Sequence, residues 1–142
     1  MDDVFDLQRF VDAQAPVIDT VREELRAGRK RTHWMWFVFP QLAGLGTSPM
    51  AQRYAIGSIE EARAYLAHPV LGERLRECCR ILLEGESSDI HAVLGSPDDM
   101  KFRSCLTLFR QAAPREAVFS QCLARFHGGQ VDEMTLRSLS DH

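Results

Sequence analysis

The stretch SPDDMKFRSCLTLFRQAA, residues 96–113, gives the clearest indication of the fold. Ser96 is a typical N-cap, Pro97 suits the first helical position, and two acids follow where the helix dipole favours negative charge. Apolar residues then recur at helical spacing until Pro114, namely at Phe102, Cys105, Leu106, Phe109 and Ala113. The pattern predicts an amphipathic helix with one buried face.

Similar signals divide the rest of the chain into short helices. Ser58 and Glu61 have the spacing of a capping box, and Pro69 keeps His68 out of the α region, so a helix is expected to end at Ala67. Apolar periodicity between glycine and proline stops predicts further helices over 6–15, 17–27, 70–83, 116–127 and 132–139. We therefore predict an all-α fold, a single compact domain over residues 1–142 with about seven to nine short helices.

One segment, residues 34–39 (WMWFVF), is continuously apolar and too short for its period to be read. It fits a buried strand or a buried helical turn. Thr32 as an N-cap favours the helix, and the sequence offers no second strand to satisfy the backbone of a first.

The composition bounds the class of protein. With 142 residues, 45% hydrophobic and 26% charged, the chain is typical of one globular domain rather than a disordered tail, a rod or a fibre. The acidic N-terminus has no apolar stretch behind a positive region, and no run is long and apolar enough for a membrane span. We expect a cytoplasmic protein without membrane contact, and the net charge of −3 argues against nucleic acid as a partner.

Neither the cysteines nor the histidines have the spacing of a metal site. The four cysteines lie in apolar helical patterns and are interpreted as small buried residues in a reducing compartment: Cys78, Cys79, Cys105 and Cys122. We predict no metal and no cofactor.

The densest group of ligand-binding residue types follows the second predicted helix. Guanidinium groups bind phosphate in bidentate fashion, and indole faces stack on planar rings. The group predicts a site for an anionic, partly aromatic ligand such as a nucleotide and comprises Arg29, Lys30, Arg31, His33, Trp34, Trp36 and Gln41. Alternatively, the aromatic residues belong to the core and the cations form a solvated helix end.

Two more groups extend this interpretation. Glycines at 44 and 46 lead into Ser48-Pro49, a typical helix start, whose first backbone N–H groups could bind an anion. Alternatively, this segment is a loop that ends in a capped helix. Arg53 follows and is assigned to the same binding site. Asp98 or Asp99 could serve as a general base, with Lys101 and Arg103 holding an anionic substrate. The structural alternative pairs Asp98 with Lys101 and Asp99 with Arg103 along a surface helix.

The chain resembles a family of small, uncharacterised, mostly bacterial proteins. The resemblance rests on residues 7–11, 28–30, 33–41, 52–54 and 96–101, of which the tryptophan segment is the most specific. It implies a mainly helical single domain and brings no established activity. Some members carry the label calpastatin, although calpain inhibitors of that kind are long and disordered. At the level of fold, the chain is also similar to small helical N-glycosidases that act on ADP-ribose and related nucleotides.

Taken together, the sequence predicts a pocket that binds an anionic, nucleotide-like small molecule and hydrolyses it at a glycosidic or phosphate centre. Catalytic roles are assigned to Asp98, Asp99 and His33, and binding roles to the cations, Gln41 and the two tryptophans. The alternative is a non-catalytic module for protein interaction or homo-oligomer formation, which would expose Trp34, Trp36 or Phe39 in an apolar patch.

Overall fold

Ten helices and their connections make up residues 2–141, the part of the chain that the computed structural model describes. They are α1 (Gln8–Gln14), α2 (Ile18–Ala27), α3 (Met35–Val38), α4 (Pro49–Arg53), α5 (Ile59–Ala67), α6 (Leu71–Glu84), α7 (Ile90–Leu94), α8 (Asp98–Ala112), α9 (Ala117–His127) and α10 (Glu133–Ser140). The all-α prediction is confirmed, and the sequence patterns identified no helix at Ile90–Leu94. None of these helices is long and apolar enough to cross a bilayer.

Helix α8 is the centre of the fold. It packs against α5, α7, α9 and α10, and its residues from Ser104 to Phe109 are all buried. The helix begins at Asp98, with Pro97 at the N-cap position, so the prediction of Ser96 as N-cap is wrong by one residue. The Asp99 carboxylate instead accepts a hydrogen bond from the Met100 N–H and satisfies one donor of the first turn.

The buried apolar side chains form one continuous cluster around α8. Aromatic rings run through it in contact: Phe10 with Tyr65, Tyr65 with Phe109, and Phe109 with Phe119. A second pair, Phe39 with Phe102, joins the tryptophan segment to the start of α8. Because these contacts link α1, α5, α8 and α9, the helices share a single core.

The capping box of α5 is present, with one change of partner. Ser58 accepts from the Glu61 N–H as predicted, but the Glu61 carboxylate accepts from the N–H of Gly57 rather than from that of Ser58. The same carboxylate lies 3.0 Å from the guanidinium of Arg9. Arg9 also donates to the carbonyls of Arg53 and Ala55, so it fixes the segment between α4 and α5 against α1.

The carboxylate of Glu24 fixes the chain that follows α2. It accepts from the backbone N–H groups of Arg31 and Thr32, from the Thr32 hydroxyl, and from the indole N–H of Trp34. Thr32 is therefore bound to Glu24 and is not the N-cap of α3, which the sequence had suggested; the N-cap is Trp34, without a side-chain bond. Residues 34–39 form a short helix followed by an irregular turn, as the sequence favoured.

A single pair of backbone bonds positions the glycine loop before α4. The N–H of Ala43 donates to the Ile56 carbonyl, and the N–H of Ile56 donates to the Gln41 carbonyl. These bonds form an isolated parallel bridge, Leu42 with Ile56. Residues 41–46 are thereby held beside the start of α8.

We predict that Glu24→Gln destabilises the protein by about 3 kcal/mol, because hydrogen bonds to charged groups contribute about 1.5–3 kcal/mol each and an amide offers one acceptor oxygen in place of two. Burial favours the neutral form of Glu24, but the hydrogen bonds outweigh it and lower the pKa of Glu24 from 4.5 to about 2. The stabilisation is thus complete well above pH 4.5, the ordinary value, and is lost as pH falls towards 2. Urea unfolding at pH 7 and at pH 3 measures both effects.

The exposed neighbour Glu23 provides the matched control, and Glu23→Gln should leave the free energy of unfolding within about 0.5 kcal/mol. The difference in the free energy of unfolding between wild type and Glu24→Gln should be about 2 kcal/mol smaller at pH 3 than at pH 7. The other carboxylates do not affect this difference, because they titrate equally in both proteins. An unchanged difference at the two pH values would contradict the role assigned to the Glu24 charge.

We also predict that the thiols are unreactive in the native protein. All four cysteines are free and buried, as the sequence indicated, and burial raises the pKa of Cys78 to about 12 and that of Cys105 well above its usual range. A chromogenic disulfide reagent should label none of the four thiols at neutral pH until denaturant is added, and then all of them. Fast labelling of one thiol in the native state would disprove this.

Candidate anion-binding cleft

A line of alternating charges and aromatic rings crosses from α2 to α8. The ammonium of Lys30 lies 5.1 Å from the ring centroid of Trp34 and 3.0 Å from Asp98 Oδ2. The other oxygen of Asp98 lies 3.8 Å from the ammonium of Lys101, which in turn lies 5.8 Å from the ring of Trp36. This network brings together five residues that the sequence placed in one site: Lys30, Trp34, Trp36, Asp98 and Lys101.

A cleft of about 430 Å³ opens at the Lys101 end of this network. One wall is the loop that includes Gln41, Gly44 and Gly46, and the opposite wall is the first two turns of α8. The segment that leads into α10 closes one end. The lining residues are Gln41, Gly44, Leu45, Gly46, Pro97, Met100, Lys101, Arg103, Ser104, Asp132 and Met134.

Arg103 is the most unusual side chain in the cleft. Only 22% of it is exposed, yet within residues 2–141 its guanidinium makes no hydrogen bond, and its nearest acidic atom is Asp132 Oδ1 at 3.7 Å. Its Nε is buried and has no partner in that part of the chain. Asp132 itself is occupied as the N-cap of α10, where its Oδ2 accepts from the N–H and hydroxyl of Thr135. A guanidinium has five donors, so most of the hydrogen-bonding capacity of Arg103 is unused.

The cleft continues past Arg103 into a second cavity of about 540 Å³, lined by Gly129, Gln130, Val131, Glu133 and the three residues that both cavities share. The shared residues are Arg103, Asp132 and Met134. Met134 is 57% exposed and Met100 is 44% exposed, which places two large apolar side chains in solvent on either side of the guanidinium. Exposed methionines are adaptable contacts for a ligand surface.

Two histidines lie near the acidic start of α8. Asp99 Oδ2 is 3.1 Å from Nδ1 of the exposed His91, which makes an acid–imidazole pair. His127, the last residue of α9, is half-buried, and its charge interacts with both Asp99 and Arg103. Burial and the Arg103 charge lower the pKa of His127, with a smaller opposing effect of Asp99. In residues 2–141, no group of three or more metal-ligating side chains is placed to hold a metal ion.

The remaining residues predicted for the site lie elsewhere or in the core. Arg29 and Arg31 line a different cavity, together with Thr20 and the acids of α2. The guanidinium of Arg53 packs on the Tyr54 ring, and His33 is exposed on the loop before α3.

Trp34 and Phe39 are buried, and Trp36 is partly covered, so Trp34 and Phe39 form no exposed apolar patch. Trp34 has no exposed surface on which a ligand could stack, and its indole N–H is bound to Glu24. Its place in the network is therefore structural, as the alternative interpretation of the aromatic segment held.

The sequence placed Arg103 in the charged group at the start of α8 but did not include it among the residues of the predicted pocket. The structural alternative paired Arg103 with Asp99, and that pairing is wrong, because Asp99 faces His91 and Arg103 faces Asp132. The pairing of Asp98 with Lys101 is confirmed, although at 3.8 Å it is loose. No local pattern separates Arg103 from a surface arginine, since its burial depends on a segment about 30 residues away that leads into α10.

Comparison with known proteins supplies the family. Residues 4–139 match the family model described as "Protein of unknown function (DUF1810)". No curated protein matches the chain. Among solved structures, the chain is similar to the conserved hypothetical protein Rv1873 from Mycobacterium tuberculosis, whose crystal structure was determined at 1.38 Å. The two are 54% identical, with a TM-score of 0.95 over 97% of this chain and 99% of the other. The chain belongs to the DUF1810 family of proteins of unknown function.

Proposed function

We propose that the cleft at the start of α8 binds a small anionic molecule of nucleotide type, with Arg103 as its principal contact. The observation that carries the proposal is the unused capacity of that guanidinium. Buried polar groups in native proteins are almost always hydrogen-bonded, and an unsatisfied one calls for an explanation. An anion bound in the cleft supplies the acceptors that the protein itself does not provide.

Lys101 supports the same ligand from the neighbouring wall. Its ammonium is only loosely paired with Asp98, so it can turn towards an anion in the cleft without breaking a short bond. Asp98 meanwhile keeps its close contact with Lys30, which is 9% exposed. The network thus fixes the wall while leaving one positive charge available.

The nucleotide-like part of the proposal rests on the apolar lining. Met100, Met134 and Leu45 flank the two cations, so an anionic group and a planar or apolar group can be bound side by side. Gly44, at a φ of +94°, has open space where a side chain would stand, so the backbone of the opposite wall is open to close approach there. A bare inorganic anion would use only part of this surface.

Hydrolysis is a further part of the proposal. Among the residues predicted to be catalytic, we assign proton transfer to Asp99, whose Oδ2 lies 3.1 Å from the imidazole Nδ1 of His91 and which directly precedes Met100 of the cleft lining. Asp98, held between two ammonium groups, positions Lys101 instead. We assign no role in the cleft to His33, which is exposed on the loop before α3.

We predict that Arg103→Met weakens ligand binding strongly without lowering stability. Wild type should show a rise of a few degrees in Tm with a nucleotide at about 100 times its Kd, which corresponds to about 2.7 kcal/mol. Loss of the guanidinium should weaken binding between about tenfold and 100-fold. The Tm of the unliganded variant should equal or exceed that of wild type, because the substitution removes a buried donor, Nε, that has no partner.

Arg110→Met, two turns further along α8, is the matched control and should bind like wild type. A screen of nucleotides, sugar phosphates and dicarboxylates by thermal shift identifies the ligand class. The proposal fails if no anion in the panel shifts the Tm of wild type, or if Arg103→Met responds to the same ligand as strongly as wild type does.

A further prediction concerns the network behind the cleft. Asp98→Asn should destabilise the protein by about 3 kcal/mol, since it leaves the nearly buried charge of Lys30 without a partner. Asp19→Asn removes an exposed partner of Arg22 and should change the free energy of unfolding by no more than about 1 kcal/mol. Urea unfolding of the two variants makes the comparison, and equal effects would refute the structural role of Asp98.

A further inference from the structure

His127 is the second residue near the cleft with an unsatisfied buried atom. Its Nε2 is inaccessible to solvent and, like Nε of Arg103, has no hydrogen-bond partner within the described residues. The two residues lie on α8 and α9, which pack against each other, and the imidazole ring lies 6.2 Å from that of Phe102, the neighbour of Arg103. The two unpartnered nitrogen atoms therefore belong to one region of the structure.

The charges around His127 come from three elements. Helix α8 contributes Arg103 and Asp99, and Asp132, in the segment before α10, pairs with Arg103. On its own helix, the guanidinium of Arg125 donates to the carbonyls of Leu83, Gly85 and Ser87 at the end of α6. Arg103 is thus the positive charge that disfavours a proton on the imidazole, and Asp99 is the negative charge that favours one.

We propose that His127 is a positioning residue of the cleft that acts through Arg103: when an anion binds to Arg103, the imidazole of His127 takes up a proton. This inference rests on the proposed function. A bound anion cancels much of the field of the guanidinium, while the attraction of Asp99 is unchanged. The protonated imidazole then adds a positive charge behind Arg103, in addition to the charges of Arg103 and Lys101.

Thermodynamic linkage fixes the sign of the effect. If binding takes up a proton, affinity must rise as the pH falls from the pKa of His127 in the complex to the lower pKa of free His127, and it must be independent of pH above the first of these values. The pKa of free His127 lies below its ordinary value of 6.5, so the rise is expected on the acidic side of neutrality. A coupling of one pKa unit corresponds to about a tenfold change in affinity.

Sulfate is the appropriate probe, because it stays a dianion throughout the range in which histidine titrates. Its affinity for wild type, measured by calorimetry at constant ionic strength, should rise as the pH is lowered from 8 to 5.5, by up to about tenfold for a coupling of one pKa unit. In His127→Gln, binding should persist and this pH dependence should disappear. His91→Gln, which alters the imidazole paired with Asp99 on the solvent side, should keep the pH dependence.

A measurement on the unaltered protein complements the variants. Saturating sulfate should raise the pKa of the His127 imidazole, followed by NMR in wild type, and should leave it unchanged in Arg103→Met. Sulfate binding that is equally tight at both pH values, or equally pH-dependent in His127→Gln, would overturn the role of His127 while leaving the Arg103 site intact. Failure of sulfate to bind wild type at either pH would overturn the role of His127, whereas the nucleotide proposal is decided by the thermal-shift panel.

Discussion

The ammonium of Lys30 and the carboxylate of Asp98 lie 3.0 Å apart and join the loop after α2 to the first turn of α8. Lys30 is also anchored by its backbone, since its N–H donates to the Val93 carbonyl at 2.7 Å. The ammonium of Lys30 also makes a cation–π contact with Trp34. The indole of Trp34 is fixed in turn by its hydrogen bond to the carboxylate of Glu24. The wall of the cleft depends on this chain of contacts, because Lys101 belongs to the same turn of α8 and shares Asp98.

This arrangement separates structural charges from available ones. Glu24 and Asp98 are committed to several donors or cations each, which makes them costly to remove and poorly suited to proton transfer. Lys101 and Arg103 have loose ion pairs at 3.8 and 3.7 Å, and no side chain in residues 2–141 satisfies the guanidinium of Arg103. Cations with only long ion pairs inside the protein are well suited to a ligand site, because no short ion pair or hydrogen bond has to be broken when the ligand binds.

The same reasoning places His127 in a controlling position. The positive charge of Arg103 makes protonation of the His127 imidazole less favourable. A bound anion has the opposite effect and makes protonation more favourable. An unsatisfied buried group lowers the stability of the unliganded protein, so natural proteins retain such groups chiefly where a ligand later satisfies them. Within residues 2–141 three side-chain nitrogen atoms are of this kind, Nε of Arg103 on α8 and Nε of Arg125 and Nε2 of His127 on α9, and Arg103 is the one of these residues that lines the cleft.

How much of this was accessible from the sequence differs between fold and site. The capping residues, the proline and glycine stops and the apolar periodicity determined most helices, because these signals act within one or two turns of the backbone. The apolar periodicity also identified the cysteines as core residues. The charged groups along the sequence placed Lys30, Asp98 and Lys101 in one predicted pocket. The short helix Ile90–Leu94 escaped the helix signals, since five residues are too few to establish a period.

What the tertiary structure alone decided is which polar side chains are satisfied. Three other arginines lie in parts of the sequence that were assigned to the site, namely Arg29, Arg31 and Arg53. In the folded chain these three lie away from the cleft, whereas Arg103 lines it. The burial of Arg103 arises where α8 meets the segment before α10, and the indole N–H of the buried Trp34 is satisfied by a glutamate ten residues earlier in the chain. Hydrogen-bond satisfaction depends on distances between segments far apart in sequence, whereas helix formation depends on neighbours, and for that reason the sequence determined the helices and only the folded chain identified the cleft.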